Sequence, residues 1–153
     1  MMELNEAKLI ENEVTLRKMS LPKDVKETKR SLIRWLGLAM GIVNPKESRL
    51  SALEVMDALL YFHFKLKKSP NVNEMLEYIE KTWEPINEKT LRYHLLQFTK
   101  QNLIRHEKGK YYLTSSEVED FDEIKWIENF FNIQVNPIKE RIIEALVELK
   151  NKN

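Results

Sequence analysis

Three glycines, Gly37, Gly41 and Gly109, are all that a chain of 153 residues has for left-handed corners. Glycine adopts positive φ at little cost, so a chain this poor in it favours helices with short connections over an all-β fold. The same shortage excludes a dinucleotide fingerprint or a P-loop, which need several glycines so that backbone can approach phosphate. Cysteine is absent, which removes thiol catalysis, cysteine zinc sites and disulfides. The length suits one compact domain with helical extensions, able to bury a core without staples. The most apolar stretch, Leu36 to Val43, follows Arg34 and is far too short to cross a bilayer. Met1 to Met19 is studded with charge and has no apolar signal region. No membrane partner is expected, and a cytoplasmic location is the default expectation. The Gly37–Gly41 spacing would let two helices approach closely.

Apolar periodicity then divides the chain. Leu4, Ala7, Ile10 and Val14 predict a helix over about 2–18. Ser20-Leu21-Pro22 interrupts it. Val25, Leu32, Leu36 and Met40 predict a second helix over about 24–40, with Ile33 and Trp35 widening its face. Asn44-Pro45-Lys46-Glu47 reads as a helix start, with Asn capping and Pro in the first turn. That helix should run to about Lys67, with Leu53, Met56, Leu60 and Phe64 on one side. Asn71 or Asn73 caps the next, to about Trp83, with Met75, Leu76 and Ile79 inward. Asn87 caps a third of about fifteen residues, carrying Leu91, Leu95 and Phe98. Two short β-prone runs, Leu103 to His106 and Lys110 to Thr114, flank Lys108-Gly109 and predict a hairpin with a primed turn. After an acidic run from Glu117 to Glu123, a short helix carries Ile124, Ile127 and Phe130 or Phe131. Asn136-Pro137 opens a last helix whose Ile138, Ile142, Ala145 and Leu149 are spaced four, three, four, as in a heptad seam.

The segment from Asn87 to Thr114 carries Thr90-Leu91, His94-Leu95, Phe98, Leu103-Ile104, Gly109-Lys110 and Tyr112-Leu113-Thr114 in order. This pattern resembles the third helix and wing of winged helix-turn-helix transcriptional regulators, the broad group that includes the ArsR, MarR and PadR families. The resemblance covers about 65 residues once the helices from Ser48 and Asn71 are included. It implies a mainly α fold with a small β-hairpin wing, here with N- and C-terminal helical extensions. The expected organisation is a helical extension over 1–43, a winged-helix domain over 44–116 and a helical dimerisation segment over 117–153. The sequence departs from the group in its short wing and its long N-terminal extension, and no subfamily is indicated.

Charge supports the same surface. Residues 86–114 hold six basic residues, Lys89, Arg92, Lys100, Arg105, Lys108 and Lys110, against two acids, Glu88 and Glu107. Residues 115–153 hold nine acids and five bases, while the whole chain is only +1. Positive charge thus concentrates on the helix and hairpin that the resemblance assigns to DNA. Leu91, Leu95 and Phe98 fix the buried side of the third helix. Lys89, Tyr93 and Lys100 then point nearly opposite, with Thr90 and Arg92 on the flanks and Leu96 and Gln97 to either side. Lys89, Thr90, Arg92, Tyr93, Gln97, Lys100, Lys108 and Lys110 are therefore the candidate DNA-binding residues. Arg92 and Gln97 have the chemistry to read bases, and Lys108 and Lys110 to hold phosphate. Leu96 is apolar and outward, and packing against a neighbouring element is expected for it.

The remaining candidates read as structural. His63, His94 and His106 lie far apart with no paired-histidine spacing, so no metal site is expected. Trp35, Trp83 and Trp126 suit core or interface. No nucleophile, base and oxyanion donor can be assembled, so no enzyme and no cofactor are expected. The Leu36-to-Val43 helix and the seam from Ile138 to Leu149 carry more apolar residues than one small winged helix buries, which points to a homodimer held by the N- and C-terminal helices, with Ile138, Ile142, Ala145 and Leu149 as its interface residues. The expected function is sequence-specific binding of double-stranded DNA in transcription regulation. The alternative is a winged-helix adapter between proteins, which the near-neutral total charge favours. The operator, the sign of regulation and any small-molecule effector leave no mark in the sequence.

Overall fold

The computed structural model describes residues 5–47, 51–113 and 118–153. They fall into two compact units, one ending at Pro45 and the other beginning at Lys46.

In the first unit the helix expected over 2–18 is not formed among the described residues. One 3-10 turn, Glu6–Leu9, gives way to extended chain up to α1 (Lys23–Lys26). The reason lies in tertiary hydrogen bonds that a local helix would forfeit. The Arg17 backbone N–H donates to Ala39 O at 2.9 Å. Its guanidinium donates to Leu38 O at 2.6 Å, Val43 O at 3.1 Å and Asn44 Oδ1 at 2.9 Å. Two of those carbonyls, Leu38 and Ala39, lie in the last turn of α2 (Lys29–Ala39), where Leu38 O also accepts from Gly41 N–H at 3.3 Å. The helix expected over 24–40 is broken at its start, because the Thr28 side chain accepts from Ser31 N–H and opens α2 afresh. Gly37 and Gly41 do not mediate helix packing as a pair, since Gly41 lies beyond the helix end. With φ +69° it is the left-handed residue of a Schellman turn, where Ile42 N–H donates to Gly37 O at 2.8 Å. A Cβ there would sit 2.4 Å from Thr15 O.

The second unit holds three consecutive helices and a hairpin. Asn44 does not cap the first of them. Its side chain serves Arg17, and Lys46 turns the chain away at φ +73°. Residues 48–50, where that helix was expected to begin, lie outside the described residues. From Ser51 the helix α3 (Ser51–Tyr61) runs on into a π turn, Phe62–Leu66. His63, one helical turn beyond Leu59, is buried where Phe64 was expected, and Phe64 is 43% exposed. Helix α4 (Val72–Thr82) begins at a capping box between Asn71 and Glu74, and α5 (Glu88–Lys100) at an Asn87 cap. Strands β1 (Arg105–Glu107) and β2 (Lys110–Tyr112) pair antiparallel with Glu107 opposite Lys110. Lys108 (φ +52°) and Gly109 (φ +76°) form the two-residue turn, as the primed-turn expectation requires.

Leu53, Met56 and Leu59 of α3, Met75 and Ile79 of α4, and Leu91, Leu95 and Phe98 of α5 make the core, closed by Leu103 and Leu113. Removing such a side chain to alanine costs about 2–5 kcal/mol. Two polar devices lock this core. The buried Asp57 carboxylate accepts from Tyr78 Oη–H at 2.8 Å and Trp83 Nε1–H at 2.9 Å. His63 bridges through both ring nitrogens: Nδ1 lies 2.7 Å from Leu59 O, and Nε2 accepts from Leu113 N–H at 3.1 Å. The hairpin is further tied to the start of α4 by Tyr111 N–H donating to Pro70 O at 2.9 Å.

Beyond the hairpin, residues 114–117 are outside the description, which includes the start of the acidic run. Glu119 and Asp120 are exposed, and Asp122 caps α6 (Glu123–Phe130). Trp126 and Phe130 are the buried residues of α6, with Trp126 Nε1–H donating to Leu103 O at 2.8 Å. Ile124, expected inward, is 64% exposed. A second π turn, Phe131–Val135, leads without a break into α7 (Asn136–Asn151), which has no buried residue. The chain is therefore mainly helical with one small antiparallel hairpin, and no helix among the described residues is long and apolar enough to cross a membrane.

Candidate nucleic-acid interface

Helix α5 and the hairpin carry the candidate residues, and Glu88 and Arg92 of the helix line one concavity with His106 and Gly109 of the hairpin. The Asn87 side chain accepts from Thr90 N–H at 2.8 Å, which fixes the first turn of α5. At the far end Asn102 takes φ +60°, and Leu103 N–H donates to Phe98 O at 3.0 Å, a second Schellman turn. This turn aims the chain from α5 into β1, so the helix and the hairpin are set by one local geometry.

Lys89, Arg92, Tyr93 and Lys100 of α5 are exposed, as are Lys108 and Lys110 of the hairpin. Thr90 and Gln97 are half-buried. Gln97 therefore departs from the solvent side expected of it. It lies about 120° round the helix from the core direction, a flank position that periodicity assigns to neither side. Leu96 lies as far round on the other flank and is 52% exposed, so no element of the described chain covers it as expected. Tyr93 is 58% exposed with its ring edge on His94, and His94 reaches Ser51 Oγ at 2.8 Å. Burial holds His94 below the ordinary histidine range.

The two acids of the region are each engaged by an arginine. Glu88 pairs with Arg92 at 2.8 Å, one helical turn away, and Glu107 pairs with Arg105 across the hairpin's first strand. The Arg105 guanidinium also lies over the Tyr112 ring, 4.0 Å from its centroid. The net positive charge of the region thus falls on Lys89, Lys100, Lys108 and Lys110. On the hairpin His106 and Tyr111 face each other in register and stack with centroids 4.3 Å apart, which stiffens the strands beneath the turn. A shallow concavity lies beside this surface, lined by Asn71, Asn73, Glu88, Arg92, His106 and Tyr111 among others. Glu74 sits near it. Burial would raise its carboxyl, but the Lys68 ammonium and the Asn71 N–H, with Lys110 farther off, bring it below the usual range.

Periodicity missed the Asp57 and His63 networks. The signal for Asp57 was present, because a lone acid inside Val55-Met56-Asp57-Ala58-Leu59 must either be partnered or break the helix. For His63 the signal was its spacing, one helical turn beyond Leu59 and three residues beyond Leu60. Among the described residues no group of three or more histidines or carboxylates could hold a metal ion. No protein-family model, curated protein or solved structure matches this chain.

Proposed function

We propose that this chain is a winged-helix protein that binds double-stranded DNA sequence-specifically as a homodimer, in transcription regulation. In this reading α5 enters the major groove and the β1–β2 hairpin is the wing. The observation that carries it is the placement of Lys89, Arg92, Tyr93 and Lys100 on the exposed side of α5, with Lys108 and Lys110 on the adjoining hairpin turn. A helix with a basic exposed side beside a basic hairpin carries the charge that phosphates bordering a groove attract. The short, stiff turn suits phosphate contact rather than base reading. Ile138, Ile142, Ala145 and Leu149 form the contact between copies.

A second reading, an adapter that binds another protein through α5, is favoured by the exposure of Leu96 and Tyr93 in the middle of that helix. The test is binding to random and selected duplexes over a range of salt. A DNA protein loses affinity linearly in log salt, with a slope of about 0.9 per phosphate contact. Salt-independent or undetectable duplex binding moves the adapter reading to first place.

A further inference from the structure

We propose that α7 pairs antiparallel with α7 of a second copy of this chain, about a two-fold axis passing between Ile142 and Ala145. This deepens the dimer assigned to α7 above and rests on it, but it does not rest on DNA binding. Every residue from Ile138 to Asn151 is exposed, and Ile138, Ile142 and Leu149 are 45%, 56% and 58% so. Apolar residues repeated along one line of a helix sixteen residues long need a cover.

The seam is its own complement when reversed. Ile138, Ile142, Ala145 and Leu149 lie within about 60° of one another round the helix. Turning a second helix end for end sets Ile138 against the partner's Leu149 and Ile142 against the partner's Ala145. The large residue meets the small one in the two central layers, and isoleucine meets leucine in the two outer ones.

Charge selects the same direction. Arg141 and Glu148 border one edge of the seam, and Lys139 and Leu146 border the other. In the reversed pair Arg141 comes beside the partner's Glu148, and Glu148 beside the partner's Arg141, so two opposite-charge pairs form by symmetry. On the other edge the stem of Lys139 lies over the partner's Leu146 and keeps its ammonium in water. A parallel pair in register instead sets Arg141 against the partner's Leu146 and Gln134 against the partner's Lys139. It matches no opposite charges, and it brings like ends of the helix dipoles together. Glu140 and Glu144 project away from the seam in either case. Within the single chain Glu148 lies 3.6 Å from Lys152, both about two-thirds or more exposed, and so exchanges partners at little cost.

Sedimentation equilibrium of the full chain should show a monomer–dimer equilibrium that shifts with concentration, since two heptads make a short seam. The absence of native cysteine makes direction readable by cross-linking. Ile138→Cys alone and Leu149→Cys alone should form no dimer disulfide, because like positions lie about 16 Å apart along an antiparallel pair. A mixture of the two, told apart by tags of different length, should give the mixed disulfide. Arg141→Glu should weaken self-association, and adding Glu148→Arg protein should restore it several-fold as a mixed dimer. Disulfides in each single variant alone would mean a parallel pair and overturn the proposal while leaving the dimer. A wild-type chain that stays monomeric at every concentration would overturn both, with α7 covered by some other surface. Duplex binding by the same samples is read separately, so failure of the DNA reading is not mistaken for either.

Discussion

His63 shows how one side chain can couple three segments. It joins the end of α3 to the residue after β2, and its ring edge meets Phe121 at 5.3 Å. Burial, and then the nearby Lys67 charge, hold its pKa below the ordinary histidine value despite the bond to Leu59 O. His94 is shifted the same way by burial. In both cases the unfolded chain binds a proton more readily than the folded one. Stability is therefore full above about pH 6.5 and falls as the pH drops through the lowered folded-state values. Chemical denaturation at a series of pH values should show this slope, and His63→Gln should flatten it. A slope unchanged by His63→Gln would assign the effect elsewhere. Asp57 carries a larger penalty. Asp57→Ala removes the acceptor that the half-buried Tyr78 hydroxyl and Trp83 indole N–H share, and a loss of about 1–3 kcal/mol is expected. A midpoint within experimental error of wild type would show that those donors find other partners.

Among the elements, α4, α5 and the hairpin were readable in the sequence, whereas the Thr28 cap that opens α2 was passed over and elements bounded by tertiary contacts left no local mark. Asn71 with Glu74, and Asn87 alone, announce α4 and α5 because a cap acts within four residues. Lys108-Gly109 announces the hairpin for the same reason. The segment over 2–18 carries helix-like spacing, yet from Ile10 onward it forms no helix, because Arg17 bonds to residues more than twenty positions away. The π turn over Phe62–Leu66 has no local signature either. At the candidate site the basic residues were found by type and position, whereas the burial of Gln97 and the exposure of Leu96 depend on how crowded each flank of α5 is. That difference separates two roles. Lys108→Ala and Lys110→Ala should weaken specific and random duplexes alike, each flattening the log-salt slope by about 0.9. Arg92→Ala should instead narrow the gap between the selected and scrambled sites, by about 1–3 kcal/mol if a bidentate base contact is lost. Wild-type binding by all three variants on both duplexes would remove α5 and the hairpin from consideration as a DNA surface.

At the scale of the molecule, the acidic C-terminal segment with its exposed α7 and the basic helix–hairpin surface belong to the same unit. A dimer formed by the one presents two copies of the other. Aspartates at Ile142 and Leu149 should yield a monomer by light scattering that keeps its helix content by circular dichroism, since neither residue is buried. Retention of the dimer would show that α7 does not hold it. Two symmetry-related surfaces should also enrich duplexes with a dyad and half-sites about 10 base pairs apart, or a multiple of that. Enrichment without a dyad would count against the paired arrangement.

The π turn between α6 and α7 then acquires a meaning for timing round an axis. It holds one more residue per turn than the α-helix on either side, and no other break separates Trp126, anchored on Leu103, from the seam at Ile138. Deleting Asn132 would let the turn close to ordinary helix with the angle of the seam kept, whereas inserting one alanine after Asn132, where the extra residue is already present, would swing the seam by about 100° about the helix. The lengthened chain could still self-associate, because its seam residues keep their own spacing. Its two basic surfaces would come to the duplex out of step, like crank pins set to the wrong angle. A one-residue insertion would thus cost the dimer its grip on a dyad site while sparing its hold on a half-site, and a one-residue deletion at the same place would spare both.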